Sequence, residues 1–278
     1  MSNEIIKYDN RMNDVSFYNF KSVELDLFFS ICYKMKEKKT ELICLTFDEL
    51  KKLINYKFTG NDRFYNDLKA MYRKLINLSI SFETGERGKR IWTEFILFIK
   101  YVVDEQEKTV KIKINPDFYY ILNEITTNFT RFELSEFTKL KSIYSKQMFK
   151  LLAQYNTTGI YNISIDDFRK KLDIPRSYRM THINKSVLTP ILTELPSYFK
   201  NLKLEKIKKG RNIDRLKFTF SPRKERTLGF KNGNPVTADE RSFEEVQEER
   251  RNTTREEFES LDRAEQARLV REQLKKRL

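Results

Sequence analysis

Tyr161-Asn162-Ile163-Ser164-Ile165-Asp166-Asp167-Phe168 reads as a short alternating strand that runs directly into a capped helix. Ser164 has the side chain of an N-cap, and Asp167 stands three residues on, where an acidic side chain completes a capping box. The same script occurs 118 residues earlier, in Leu42-Ile43-Cys44-Leu45-Thr46-Phe47-Asp48-Glu49. An apolar helix precedes each copy, over residues 23–36 and 142–155. A second helix follows each, from about Asn61 and from about Ser177. A β-hairpin then closes each copy, with its turn near Gly88 or Gly210, 122 residues apart. Helix, strand, helix, helix and a hairpin with a basic turn is the order of a winged helix. The residue identities barely repeat, so the pattern carries the repeat. It predicts an α+β protein of two winged helices in series.

The domain boundaries follow. Residues 1–128 form the first winged-helix domain, 129–221 the second, and 222–278 a charged tail that is partly helical or disordered. Residues 1–20 are expected to be an arm and residues 126–130 a linker. In the tail, Thr254-Arg255-Glu256-Glu257 is a capping box, but Phe258, Leu261, Leu269 and Leu274 are too few to bury a stable face. With 278 residues and 39% hydrophobic side chains, the chain can fill two small cores. The apolar run over residues 95–99, continuing past Lys100 to Val103, is far too short to span a membrane and reads as a strand buried on both faces. Residues 1–11 hold no apolar signal core. Cys32 and Cys44 are expected to be small buried hydrophobes in a reducing cytoplasm.

Charge is unevenly distributed. The net charge is +14. Residues 1–130 carry 21 basic and 19 acidic side chains, residues 131–221 carry 19 and 8, and residues 222–278 carry 14 and 13. A compact basic module is the electrostatic footprint of a polyanion partner, and a generally basic surface would spread the excess evenly.

The second helix of the second copy is the leading candidate for base contacts. On a 3.6-residue wheel, Met180, Ile183, Val187, Leu188, Ile191 and Leu195 share one side. Tyr178, Arg179, His182, Lys185, Ser186 and Thr189 share the other, with Arg176 just before them. Any surface helix shows a polar stripe, but no acid stands between Asp173 and Glu194. Such a face suits a major groove. Pro190 is expected to kink the helix or end its regular part. The second wing offers Lys206, Lys208, Lys209, Arg211 and Arg215 around Gly210, which suits phosphates or a minor groove. The first copy offers Arg63, Asn66, Arg73 and Lys74 on its helix and Arg87, Lys89 and Arg90 in its hairpin. Asp62 and Asp67 dilute that helix, and the apolar strand run beyond the hairpin could serve a subunit interface instead.

Catalysis has little support. His182 is the one histidine and has no nucleophile at a recognisable spacing. Two distant cysteines and one histidine do not make a zinc site, and a paired-histidine nickase site is not available. Gly85-Glu86-Arg87-Gly88-Lys89 lacks the spacing and the Ser or Thr of a phosphate loop. No metal and no cofactor is expected.

Several stretches resemble the initiator replication proteins of theta-replicating plasmids, which bind repeated origin sequences called iterons. They are Phe132-Glu133-Leu134 through Ser142-Ile143-Tyr144-Ser145, Leu151-Leu152, Tyr155 before Gly159, Ile163 to Arg169 with Leu172, Val187-Leu188-Thr189-Pro190-Ile191, and Lys208-Lys209-Gly210-Arg211. The resemblance covers about residues 5–221, is more specific in the second domain, and leaves the tail unmatched. It implies two winged helices, sequence-specific binding of double-stranded origin DNA, and origin opening with host replication proteins in a bacterial cytoplasm. It also implies self-association, with dimers that repress and monomers that initiate, and no membrane partner. A tandem winged-helix transcriptional regulator is the alternative, and a nuclease or primase the third.

Overall fold

The computed structural model describes residues 4–36, 42–57, 61–84, 89–123 and 128–223. All described residues lie within one compact unit, Met1–Val236. The tail helix anticipated from Thr254 lies outside the described residues.

The second winged helix has the anticipated order. Ser142 caps α6 (Ile143–Gln154), its hydroxyl accepting from the Ser145 amide. Strand β8 (Ile160–Ser164) leads into α7 (Ile165–Lys171), and Ser164 Oγ accepts from the Asp167 amide at 3.0 Å. Then come the 180–194 helix, β9 (Lys203–Lys209) and β10 (Asn212–Thr219), which form a sheet in the order β8-β10-β9. Gly159 links α6 to this sheet at a φ of +67°. Its carbonyl accepts from the Phe220 amide at 2.9 Å.

The first winged helix repeats this arrangement with one correction. Helix α1 (Ser22–Met35) is followed by β2 (Ile43–Thr46), α2 (Phe47–Leu53) and α3 (Asn61–Leu75). Thr46 and Glu49 close a reciprocal capping box. Strand β2 pairs with β6 (Thr109–Ile114), which pairs with β5 (Phe98–Asp104), so the sheet order is β2-β6-β5. This matches β8-β10-β9 strand for strand. The wing of the first copy is therefore β5–β6, and its turn, Glu105-Gln106-Glu107-Lys108, is acidic. The hairpin expected to be the wing, β3 (Ser79–Thr84) and β4 (Ile91–Ile96), is a separate two-stranded ribbon inserted after α3. The correspondence of Gly88 with Gly210 does not hold. The expected single strand over residues 95–103 breaks at Leu97, which is fully buried, and Phe98 begins the other sheet. The Leu97 amide donates to Leu78 while its carbonyl accepts from Asn115, so this residue stitches ribbon to sheet. A continuous apolar run hides such a break, because it has no alternation to interrupt. Nor is the run buried on both faces: Ile96, Ile99 and Val102 are exposed, as are Ile91 and Trp92 ahead of it. Cys44 is likewise exposed, since β2 alternates and Cys44 falls on its outer side, whereas Cys32 is buried.

The N-terminal arm is part of the core. Strand β1 (Ile5–Asp9) pairs antiparallel with β7 (Phe129–Glu133), which takes up the end of the expected linker; residues 124–127 lie outside the described residues. Tyr8, Met12 and Phe17 are almost wholly buried. Tyr8 and Phe29 from the first half meet Phe132 edge to face, and Phe29 also meets Phe137; Phe17 and Phe28 pack behind Phe29, and Phe149 packs behind Phe132 and Phe137. One aromatic core thus runs through both winged helices. Scattered aromatics in a polar stretch show no helical or alternating period, so the sequence conceals their burial.

Candidate nucleic-acid interface

The 180–194 helix forms in three pieces. Helix α8 (Met180–Ile183) passes into a π-helical turn over Asn184–Leu188 and then into α9 (Thr189–Glu194). It begins at Met180 and not at Ser177, because Pro175 to Tyr178 form a turn in which the Tyr178 amide donates to the Pro175 carbonyl at 3.0 Å. The π-turn is how Pro190 is accommodated. Proline has no N–H for the Ser186 carbonyl and its ring crowds that carbonyl, so a regular helix would be strained there. The Thr189 amide reaches back to Asn184 instead, and Thr189 Oγ1 donates to the same carbonyl at 2.8 Å.

Ile183, Val187, Leu188, Ile191 and Leu195 are buried beneath this helix. Arg179, His182, Lys185, Ser186 and Thr189 are exposed on its outer face, and Arg176 is exposed ahead of it. Met180, expected with the apolar side, is half-buried. Tyr178 is half-buried, with its ring centroid 5.8 Å from that of His182. Burial, together with the neighbouring Tyr178 hydroxyl, pushes the Tyr144 phenol beneath it above its ordinary value.

The second wing turns tightly. Lys209 pairs with Asn212, leaving Gly210 and Arg211 as a two-residue loop. Gly210 supplies a φ of +64° at the first loop position, which a side chain resists. Lys208, Lys209 and Arg211 project from this tip, all exposed. The other two wing cations are tied down. Lys206 Nζ donates to Asn184 Oδ1 at 2.8 Å, and Arg215 Nε donates to Asn162 Oδ1 at 2.9 Å on the neighbouring strand. Between the helix and β9 lies a cleft of about 660 Å³, lined by Asn184, Leu188, Thr189, Leu192, Lys203 and Lys206. Lys203 and Asn184 escaped the sequence reading. The cleft joins residues far apart in the chain, and no local pattern announces it.

The candidates of the first winged helix do not converge in the same way. Arg63, Asn66 and Arg73 are exposed on α3. Lys74 is drawn inward: its Nζ lies 2.5 Å from Glu24 Oε2, donates to the Asn19 carbonyl, and sits over the Phe20 ring. Its charge is spent on the core. Lys89 and Arg90 stand on the inserted ribbon, with Arg90 3.2 Å from Glu83; Arg87 lies outside the described residues. Among the described residues, no group of His, Cys, Asp and Glu could hold a metal ion, and no helix is long and apolar enough to cross a membrane.

Comparison with known proteins agrees with this architecture. Residues 5–153 match the family model described as initiator replication protein, WH1, and residues 164–220 match the model described as initiator Rep protein, WH2. A relative from Bifidobacterium longum (strain NCC 2705), described as a probable replication protein rep, is 33% identical over 224 residues, which is 80% of this chain and 74% of the relative. The crystal structure of the Pi initiator protein in complex with iteron DNA superposes with a TM-score of 0.61, covering 79% of this chain and 98% of the other. At 15% identity that likeness shows a common fold.

Proposed function

Because this chain belongs to the initiator replication protein family, we propose that it starts replication by binding repeated sequence elements of double-stranded origin DNA with both winged helices. The observation that carries this reading is the acid-free exposed face of the 180–194 helix beside an exposed basic wing tip. Arg179, His182, Lys185, Ser186 and Thr189 would meet base edges, preceded by Arg176 and Tyr178. Lys208, Lys209 and Arg211 would meet the backbone or a minor groove. The cleft carries Lys203 and Lys206, whose positive charge suits a strand of phosphates, and Arg215 would support the sheet behind it. The Pi initiator, which shares the fold, was crystallised with iteron DNA.

The division of labour follows the charge. Residues 129–221 would carry most of the binding energy. Residues 1–128 would add contacts through Arg63, Asn66, Arg73, Lys89 and Arg90, with Arg87 beside them. Lys74 contributes little to this reading, since Glu24 holds it. The exposed Ile91, Trp92, Ile96, Ile99 and Val102 suit self-association of the first domain. Host replication proteins would complete the task in a bacterial cytoplasm. The chain itself would bind and deform DNA without a catalytic step, in keeping with a single histidine and no nucleophile pattern.

The decisive experiment is a footprint of the purified protein on the DNA flanking its own gene, paired with a replication assay on a plasmid carrying only that segment. Protection of regularly repeated elements, with autonomous replication, is the expected result. Protection confined to a promoter, without replication, would make it a regulator.

A further inference from the structure

Helix α6 turns a polar stripe toward the first winged helix. Lys146, Lys150 and Gln154 follow one another at intervals of four, so they share one face. Lys146 is completely buried, and its Nζ donates to Asp26 Oδ1 of α1 at 2.5 Å and to the Phe137 carbonyl at 2.8 Å. Lys150, also buried, lies with its Nζ 4.3 Å from the centroid of the Phe17 ring and 5.8 Å from that of Phe29. Gln154 Oε1 accepts from Asn13 Nδ2 at 3.0 Å, and Asn13 also donates to Thr130 Oγ1 at 2.7 Å. From the end of α7, Asp173 accepts from Ser16 Oγ at 2.7 Å and from the Phe17 amide at 3.0 Å.

A seam between two domains is ordinarily apolar, and apolar surfaces slide at little cost because dispersion has no direction. This seam sets directional contacts beside the aromatic cluster that crosses it. Burial costs Asp26 so much that its carboxyl is pushed up to about 7 in spite of Lys146, and the same burial pushes Lys146 down. A hydrophobic pair of similar volume would hold the two helices together at least as firmly. Stability alone does not account for a lysine and an aspartate at these positions. What an ion pair adds is a single permitted register between α1 and α6.

We propose that Asp26 and Lys146 are positioning residues: their buried pair fixes the angle between the two winged helices, and so sets the separation at which they engage DNA. This rests on the two-handed reading above. Asp26 and Lys146 pair with each other, and Lys146 with Phe137, and not with any candidate DNA-contacting side chain, so both act through orientation.

The test uses the full chain with Cys32 left buried, one spin label on exposed Cys44, and a second on Thr157→Cys. The distance between the labels is measured in wild type, Asp26→Asn and the double variant Asp26→Leu with Lys146→Met. A narrow distribution is expected in wild type and a broad one in both variants, while the double variant keeps a thermal midpoint at or above that of wild type. On DNA in which base pairs are inserted between the two bound segments, wild type should prefer one spacing. The double variant should lose that preference and bind the preferred DNA at least about tenfold more weakly, as when two linked binding modules no longer share one geometry. A narrow, wild-type distance in the folded double variant would overturn the proposal. Should the double variant not fold, a narrow distance in Asp26→Asn would overturn it equally. If wild type itself shows no spacing preference, the two-handed reading fails, while the distance measurement still judges the role of the pair.

Discussion

Lys206 Nζ and Asn184 Oδ1, 2.8 Å apart, join the foot of the second wing to the π-turn of the 180–194 helix. This contact ties the wing to the helix, and in that Lys206 differs from the cations at the wing tip. Lys206→Ala should release the wing and weaken binding to the cognate sequence more than to random DNA. Replacing Lys208, Lys209 and Arg211 together by Ala should weaken both alike and flatten the slope of log affinity against log salt by about 0.9 for each phosphate that is no longer neutralised. Titrations on cognate and random duplexes at several salt concentrations separate the two. An unchanged slope in the triple variant would count against phosphate binding at the tip.

Arg179 and Lys185 are exposed on the acid-free face. Substituting either by Ala should cost about 1–3 kcal/mol of specific affinity if it pairs bidentately with a guanine, and should relax selectivity at one base position. Binding to a library of single-position variants reads both effects. Full specific affinity in both variants, with the fold intact, would remove this helix from the recognition surface.

Lys150 makes stability depend on pH. Burial pulls its ammonium from the ordinary 10.5 down to about 7, with Asp173 and Asp14 opposing the shift and Lys171 adding to it. Between these two values the unfolded chain holds a proton that the folded chain has released, so this residue makes stability rise with pH. Below about 7 both states are charged and the burial cost is felt in full. Lys150→Met should therefore raise the thermal midpoint most at pH 6, and the gain should shrink toward pH 10. A gain that is the same at both pH values would contradict the shift.

Gly159 is held at a φ of +67°, and a Cβ there would lie 2.4 Å from the Phe220 carbonyl oxygen. The obstacle is backbone, and it belongs to a strand end that also bonds to Gly159. Gly159→Ala should cost at least about 2 kcal/mol in chemical denaturation. Gly210 has the same sign of φ but open space around it, so Gly210→Ala should cost less. Equal losses at the two positions would mean that φ alone, and not the clash, sets the cost.

What the sequence determined by itself lies within a few residues of where it is written. Thr46 and Ser164 cap their helices because an N-cap and its partner are three residues apart. The 180–194 helix shows its buried and exposed sides because a wheel needs only its own residues. Gly210 marks its turn because few other residues accept that φ. Two winged helices in series could be read from such signals. Only the tertiary structure decided which hairpin is the first wing, because that depends on β2 pairing with β6, whose residues are more than sixty positions further along. It alone carried the N-terminal arm into the core through the β1–β7 pairing, and it alone drew Lys74, Lys146 and Lys150 away from solvent. A lysine announces a charge in the sequence. Whether that charge meets a phosphate, a carboxylate or an aromatic ring depends on what the fold brings opposite it.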